Sequence, residues 1–310
     1  MTRALHYGLC GLGGFLVAGA LLCQLYAAPR LMRTPLDIDT VTILTGDATL
    51  MNGETVPVRA TSITRVDVAK SDDDVVVFLD ATCLVKEQAG APDCVDAKDP
   101  SGRLVYSGVS SYPVDRVSAM GVDDAPYVGG DVVPVSGLLN KWPFEVEKKE
   151  YPFWDGQLGR TVPASYDGEE TRDGLPTYRF TVRVDRADTE IAPGIRGTYS
   201  TEKTFWIEPL TGSVVDVAQS ESRWLGSGRL ALRTDLRMAS ESVDAGIHDA
   251  HGDRAQLIVL TRVVPIGGYG VGGLALLAST MIRPGPGPRR RRHPADSDPV
   301  SGDPGDPRPS

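Results

Sequence analysis

Two histidines three residues apart, His248 and His251 in "GIHDAHGD", are the strongest approach to reactive chemistry in this chain. With Asp249 or Asp253 they could hold a metal, or one could act as the base of a Ser-His-Asp triad. The surroundings favour a polar loop instead, because no Gly-x-Ser-x-Gly elbow occurs. Carboxylates cluster at Asp72 to Asp74, at Asp123 and Asp124, and at Glu169 and Glu170. The first group lacks the alternating ligands and glycine of a calcium loop. None has an apolar pocket around it to raise a pKa for acid catalysis. "GGYGVGG", Gly267 to Gly273, has the glycines of a dinucleotide loop but lies inside an apolar run. We expect no catalytic residue, no metal and no cofactor, hence no enzyme.

The remaining candidates are cysteines and rings. Cys83 and Cys94 are the two cysteines between the greasy ends, and Gly90, Ala91 and Pro92 supply a turn between them. Such an isolated close pair bonds in an oxidising compartment. "NKWPFEVEKKEYPFWDG" gathers Trp142, Phe144, Tyr151, Phe153 and Trp154. Trp142, Phe144 and Val146 share one parity, Tyr151 and Phe153 another, as two strand edges packing rings inward would. Pro143 and Pro152 make such strands peripheral. A ring-lined groove for a lipid or glycan is the second reading, and a membrane-dipping wedge the third.

The elements that must position these residues begin at the ends. Residues 7–29 carry no charge and are long enough to span a bilayer. A cleaved signal peptide is the alternative, but Gln24 to Tyr26 are too large for its −3 position. A second apolar run covers 263–282 between Arg262 and Arg283. Arg289 to Arg292 follow it, and positive flanks stay in the cytoplasm. The expected plan is a cytoplasmic N-terminus at 1–6 and transmembrane helices at 7–29 and 263–282. Between them lies an extracytoplasmic domain, 30–258, and after them a disordered cytoplasmic tail, 283–310. Gly14 with Ala18, and Gly268 with Gly272, have the small-xxx-small spacing that lets such helices pack or form homo-oligomers.

Within 30–258, period-two runs such as "RFTVRVDR" and an Asn-Gly turn at Asn52 and Gly53 point to strands and hairpins. "DDDVVVFLDATCLV" reads as a buried strand. Residues 225–245 suit either strand or helix, and 239–259 suit a helix. The fold class is therefore mostly β (α+β), flanked by two transmembrane α-helices. With a net charge of −9 the surface repels phosphate backbones, which excludes nucleic acid as a partner.

"GLLNKWPFEVEKKEYPFWDG" resembles the Gly-Leu-x-x-Lys-(Phe/Trp)-Pro-Phe…Tyr-x-x-(Trp)-Asp signature of an actinobacterial membrane-protein family, labelled in places as PorA-family porin. "FWIEPLTGSVVDV" resembles that family's Trp-x-x-Pro-x-Thr-Gly block and "YPVDRVSA" a third. The resemblance covers Tyr7 to Ile282 and brings no catalytic residues with it. A porin barrel needs a lipid-facing apolar band, which these polar strands lack. We expect a plasma-membrane protein that binds or transfers an envelope lipid or glycolipid, or scaffolds the envelope. An oligomeric pore component is the alternative, and an extracytoplasmic hydrolase is least favoured.

Overall fold

The computed structural model describes residues 2–88 and 92–282. The Arg289–Arg292 run, the expected tail 283–310 and most of the Gly90–Pro92 turn lie outside the described residues. Those residues form two compact units, one of residues 2–19 and 267–282, the other of residues 20–88 and 92–266.

The smaller unit pairs α1 (Thr2–Leu22) with α4 (Val264–Met281). Glycine sets their approach. A Cβ on Gly13 would lie 2.8 Å from the Gly272 carbonyl oxygen, and one on Gly272 would lie 3.0 Å from that of Gly13. Ser279 fastens the other end: its carbonyl oxygen lies 2.7 Å from His6 Nδ1, and Cys10 Sγ donates to its hydroxyl at 3.1 Å. Gly268 and Gly272 are both buried, whereas Gly14 meets nothing within 4 Å and Ala18 is exposed. The contact face of the first helix thus runs through Cys10, Gly13 and Val17, one residue away from the Gly14–Ala18 pair. A 3.6-residue repeat leaves such neighbours indistinguishable by spacing alone.

The larger unit is a single ten-stranded antiparallel sheet. Its strands are β1 (Asp39–Leu50), β2 (Thr55–Val66), β3 (Val75–Lys86), β4 (Leu104–Asp115) and β5 (Tyr151–Asp155). Then follow β6 (Arg160–Arg172), β7 (Leu175–Ala192), β8 (Ile195–Ile207), β9 (Val214–Leu225) and β10 (Leu230–Met238). The order is β4-β3-β2-β1-β10-β9-β8-β7-β6-β5, so the first and last strands meet in the middle. Residues 225–245, ambiguous by composition, resolve into β10 and a helix start, because β10 finds partners on both sides. The seam is tight: a Cβ on Gly46 would lie 2.0 Å from the Asp235 carbonyl oxygen, so only glycine fits.

The sheet curls. Trp154 of β5 packs in one cluster with Phe78 of β3 and Tyr112 of β4, although these strands stand at opposite ends of the strand order. Residues 116–150 run between the two edges. Val133 donates its N–H to Ser111 of β4 (2.9 Å), and Leu138 donates to Pro152 of β5 (2.8 Å). Of the two strand edges expected in the aromatic stretch, only Tyr151–Asp155 is a strand; residues 140–149 are irregular. Pro143 breaks any ladder, Glu145 has φ 55°, and the backbone bonds go instead to the β8–β9 loop.

α3 (Ser240–Ile258) covers the convex face, with Ile247 and Ala250 against Trp206 and Val215. A π-helical turn, Val259–Val263, carries it straight into α4. The first helix likewise passes through a π turn, Cys23–Ala27, into α2 (Ala28–Leu31). Helical stretches over Arg3–Leu31 and Ser240–Met281 are long and apolar enough to cross a membrane. Both reach further than the apolar runs at 7–29 and 263–282. The convex face of the sheet bears ion pairs: Arg183–Glu202 at 3.1 Å, Arg233–Asp235 at 2.9 Å and Arg65–Asp39 at 3.0 Å.

Candidate functional site

Alternation along the strands sends one set of side chains into the curl. On the β5–β8 side these are rings. Trp142, fully buried, has its centroid 5.1 Å from Phe205, 5.5 Å from Phe180 and 6.1 Å from Phe153. Tyr151 meets Phe180 edge-on at 5.7 Å. Each ring buries roughly 4–6 kcal/mol of gross hydrophobic free energy, so this cluster anchors the domain. The ring stretch is thereby divided. Trp142, Tyr151 and Phe153 fill the interior, and Trp154 joins the cluster of Phe78 and Tyr112. Phe144 is half-buried under the Lys141 ammonium at 4.2 Å. Phe180 was legible only as a member of a period-two run, and Phe205 only as part of the "FWIEPLTGSVVDV" block.

The segment bearing Trp142 is clasped to the β8–β9 loop. Trp142 N–H donates to Gly212 (2.9 Å), Glu145 to Leu210 (3.0 Å) and Val146 to Pro209 (2.7 Å). Gly212 sits at φ 74°, and a Cβ there would come 2.2 Å from the Trp142 carbonyl oxygen. Beneath the clasp, fully buried Glu208 accepts from the Leu210 and Thr211 amides at 3.0 and 2.6 Å and from Arg254 of α3. Lys141 donates to the Thr211 carbonyl oxygen. Burial pulls its pKa down to about 8, against the opposing pull of Asp253 and Glu208. No sequence motif announced Glu208 or Arg254, since a single acid and a single base 46 residues apart carry no pattern.

On the β1–β3 and β10 side the interior is a second apolar cluster, separate from the ring core. It contains Ala48, Val58, Ala60, Leu84 and Leu236, with Leu44, Leu50, Val56 and Leu232 only partly buried. Along β2 and β3, polar side chains lie between this cluster and that of Phe78 and Tyr112. Ser62 and Thr64 donate to Asp80 Oδ1 at 2.8 and 3.1 Å. From the facing wall, Arg223 binds Glu221 at 2.6 Å and reaches within 5.8 Å of the Tyr106 ring centre. Asp155, fully buried, accepts from Tyr199 OH at 3.1 Å and stands 3.8 Å from the Lys203 ammonium.

The other candidates lie apart from these clusters. Cys83 and Cys94 form a disulfide with Cα atoms 5.6 Å apart. Asp72 accepts from the amides of Asp74 and Val75 and from Tyr127 OH, which hold its carboxyl below the usual range. Arg33 binds Asp74 at 3.2 Å. His248 and His251 are exposed on α3, the latter 3.5 Å from the Asp173 carbonyl oxygen. Among the described residues no three metal-ligating side chains converge.

The curled antiparallel sheet lies between two apolar helical segments in the chain, and its Lys-Trp-Pro-Phe and Trp-x-x-Pro-x-Thr-Gly blocks are clasped together. The sequence model of the family described as Porin PorA matches residues 7–281, and the chain belongs to that family. It is 28% identical over 224 residues to a protein called Porin PorA from Corynebacterium amycolatum, a match spanning 59% of this chain and 58% of the relative. The chain thus spans little more than half the length of the curated relative it matches. Among solved structures, a LolA superfamily protein from Nitrosomonas europaea is 8% identical, with 69% of this chain and 89% of that one covered. Its TM-score of 0.15 carries no inference.

Proposed function

We propose that this chain is a non-enzymatic protein of the cell envelope whose curled sheet binds or carries an envelope lipid or glycolipid. Two apolar helices hold it in the plasma membrane, both termini are cytoplasmic and the sheet is extracytoplasmic. The observation that supports this most is the second apolar cluster. It faces the interior, stays apart from the ring core, and leaves Leu44, Leu50, Val56 and Leu232 partly open. An apolar wall with an open rim suits an acyl chain. The test is mass spectrometry of lipids retained by the full-length protein released from bilayers. Retained lipid that falls in Leu232→Gln supports the reading; a lipid-free wild type sinks it.

The name carried by the family and by the corynebacterial relative favours a second reading, an oligomeric pore component. The ion pairs on the convex face oppose strands that contact lipid. Conduction would then run through an assembly of copies joined by their helices. Planar-bilayer recordings with purified full-length protein separate the two, since a carrier gives no unitary steps.

A further inference from the structure

The polar interior along β2 and β3 has a composition of its own. In register, Asp80 pairs with Thr64 on β2 and Ser110 on β4; one step along, Thr82 pairs with Ser62 and Gly108. All these positions share the inward parity of Leu84 and Ala60, members of the interior cluster. Asp80 Oδ1 takes both hydroxyls of Ser62 and Thr64, and Ser62 Oγ lies 3.3 Å from Thr82 Oγ1. No lysine or arginine pairs with Asp80 among the described residues. The other interior acids do have cations: Glu221 has Arg223, and Asp155 has Lys203. The belt therefore keeps one uncompensated negative charge at Asp80.

Beside it lies a flat ring. Tyr106 is 45% exposed although it points inward, and its phenol folds back along β4 over Gly108. A Cβ on Gly108 would come 2.5 Å from the Tyr106 hydroxyl, so the glycine lets the ring lie against the strand. That places the phenol level with Thr82, about 7 Å along the strand from Asp80, the length of two residues. The span matches one sugar ring.

We infer that this belt is a head-group site for a neutral, hydroxyl-rich moiety, a sugar or similar polyol. Asp80 and its hydroxyl neighbours accept and donate to ligand hydroxyls, and Tyr106 takes the ligand's carbon–hydrogen face. A carboxylate accepting from a hydroxyl makes a short, charge-assisted bond. The same carboxylate repels phosphate at close range. The inference rests on the lipid-carrying reading above and names the head group that goes with the acyl chain.

The probes are digalactosyl diacylglycerol and phosphatidylglycerol with matched chains, mixed equally in nanodiscs holding the full-length protein, and free maltotriose in solution. Lipids retained on release are read by native mass spectrometry, and maltotriose binding by calorimetry. Wild type should retain the glycolipid about ten-fold over phosphatidylglycerol, the worth of one charge-assisted hydrogen bond. Asp80→Asn keeps an oxygen for Ser62 and Thr64; it and Tyr106→Ala should bring the ratio to parity by lowering the retained glycolipid, while the unfolding midpoint stays unchanged. Equal retention by wild type, or a preference that survives both variants, overturns the head-group site and leaves the lipid reading standing. Maltotriose bound by wild type and lost in Asp80→Asn, with no lipid retained, supports the sugar site and overturns the lipid reading. Binding of neither probe overturns both.

Discussion

Glu208 is a carboxylate with no access to water, so its surroundings must replace hydration entirely. Two amides and the Arg254 guanidinium do so. Removing one partner of a buried pair costs far more than the pair contributes. Glu208→Ala should therefore lose about 3 kcal/mol of stability, read from denaturant unfolding of the full-length protein. Lys141 yields a pH signature. Its folded pKa is about 8 against an ordinary 10.5. Below about pH 8 both states hold the proton, and burial penalises the folded one. Between about 8 and 10.5 the folded chain sheds the proton while the unfolded chain keeps it, so stability rises with pH. Lys141→Met should lack that rise, which melting curves across this window would detect. At this scale the sequence exposed the rings and the cysteines, because aromatic and sulfur side chains stand out by type. It hid Glu208 and Asp80, whose importance comes only from what the fold places around them.

Elements were legible where a local pattern decides them. The β1–β2 hairpin follows from Asn52 and Gly53, and the buried strand β3 from its apolar run. The aromatic stretch misled because parity in residues 142–146 mimics a strand, whereas its hydrogen bonds run to a loop more than 60 residues later. The helix pair was readable as a class and displaced by one residue in detail. Gly13→Leu should therefore separate α1 from α4, while Gly14→Leu should leave them packed. Ser279→Cys reports on this directly: with Cys10 Sγ 3.1 Å from the Ser279 hydroxyl, oxidation should cross-link the two helices, and Gly13→Leu should abolish the cross-link. Failure to cross-link without the glycine change would refute the pairing. The disulfide closes a separation of 11 residues. Its reduction should cost on the order of 3 kcal/mol, visible as a lower midpoint under reducing conditions.

The whole molecule was legible in its plan of helix, strands and helix, since apolar runs and alternation are read directly from the chain. The strand order was not, because pairing β1 with β10 joins segments separated by nearly the entire domain. The proposed topology is testable at this scale. Val109 is 81% exposed on β4, so Val109→Cys should react with a membrane-impermeant maleimide on intact cells. Labelling only after lysis would place the sheet on the other side.

The seam between β1 and β10 also dictates a sequence of events. Strands β1 to β4 form one meander of neighbours and β5 to β10 a second, each contiguous along the chain. Nothing knits the halves in the middle until the stretch near residue 235 emerges beside Gly46. Until then β1 waits as a bare edge, open to strangers. Any helper that attends the growing chain has its appointment there, and a nascent chain halted before β10 would be the species most prone to clump.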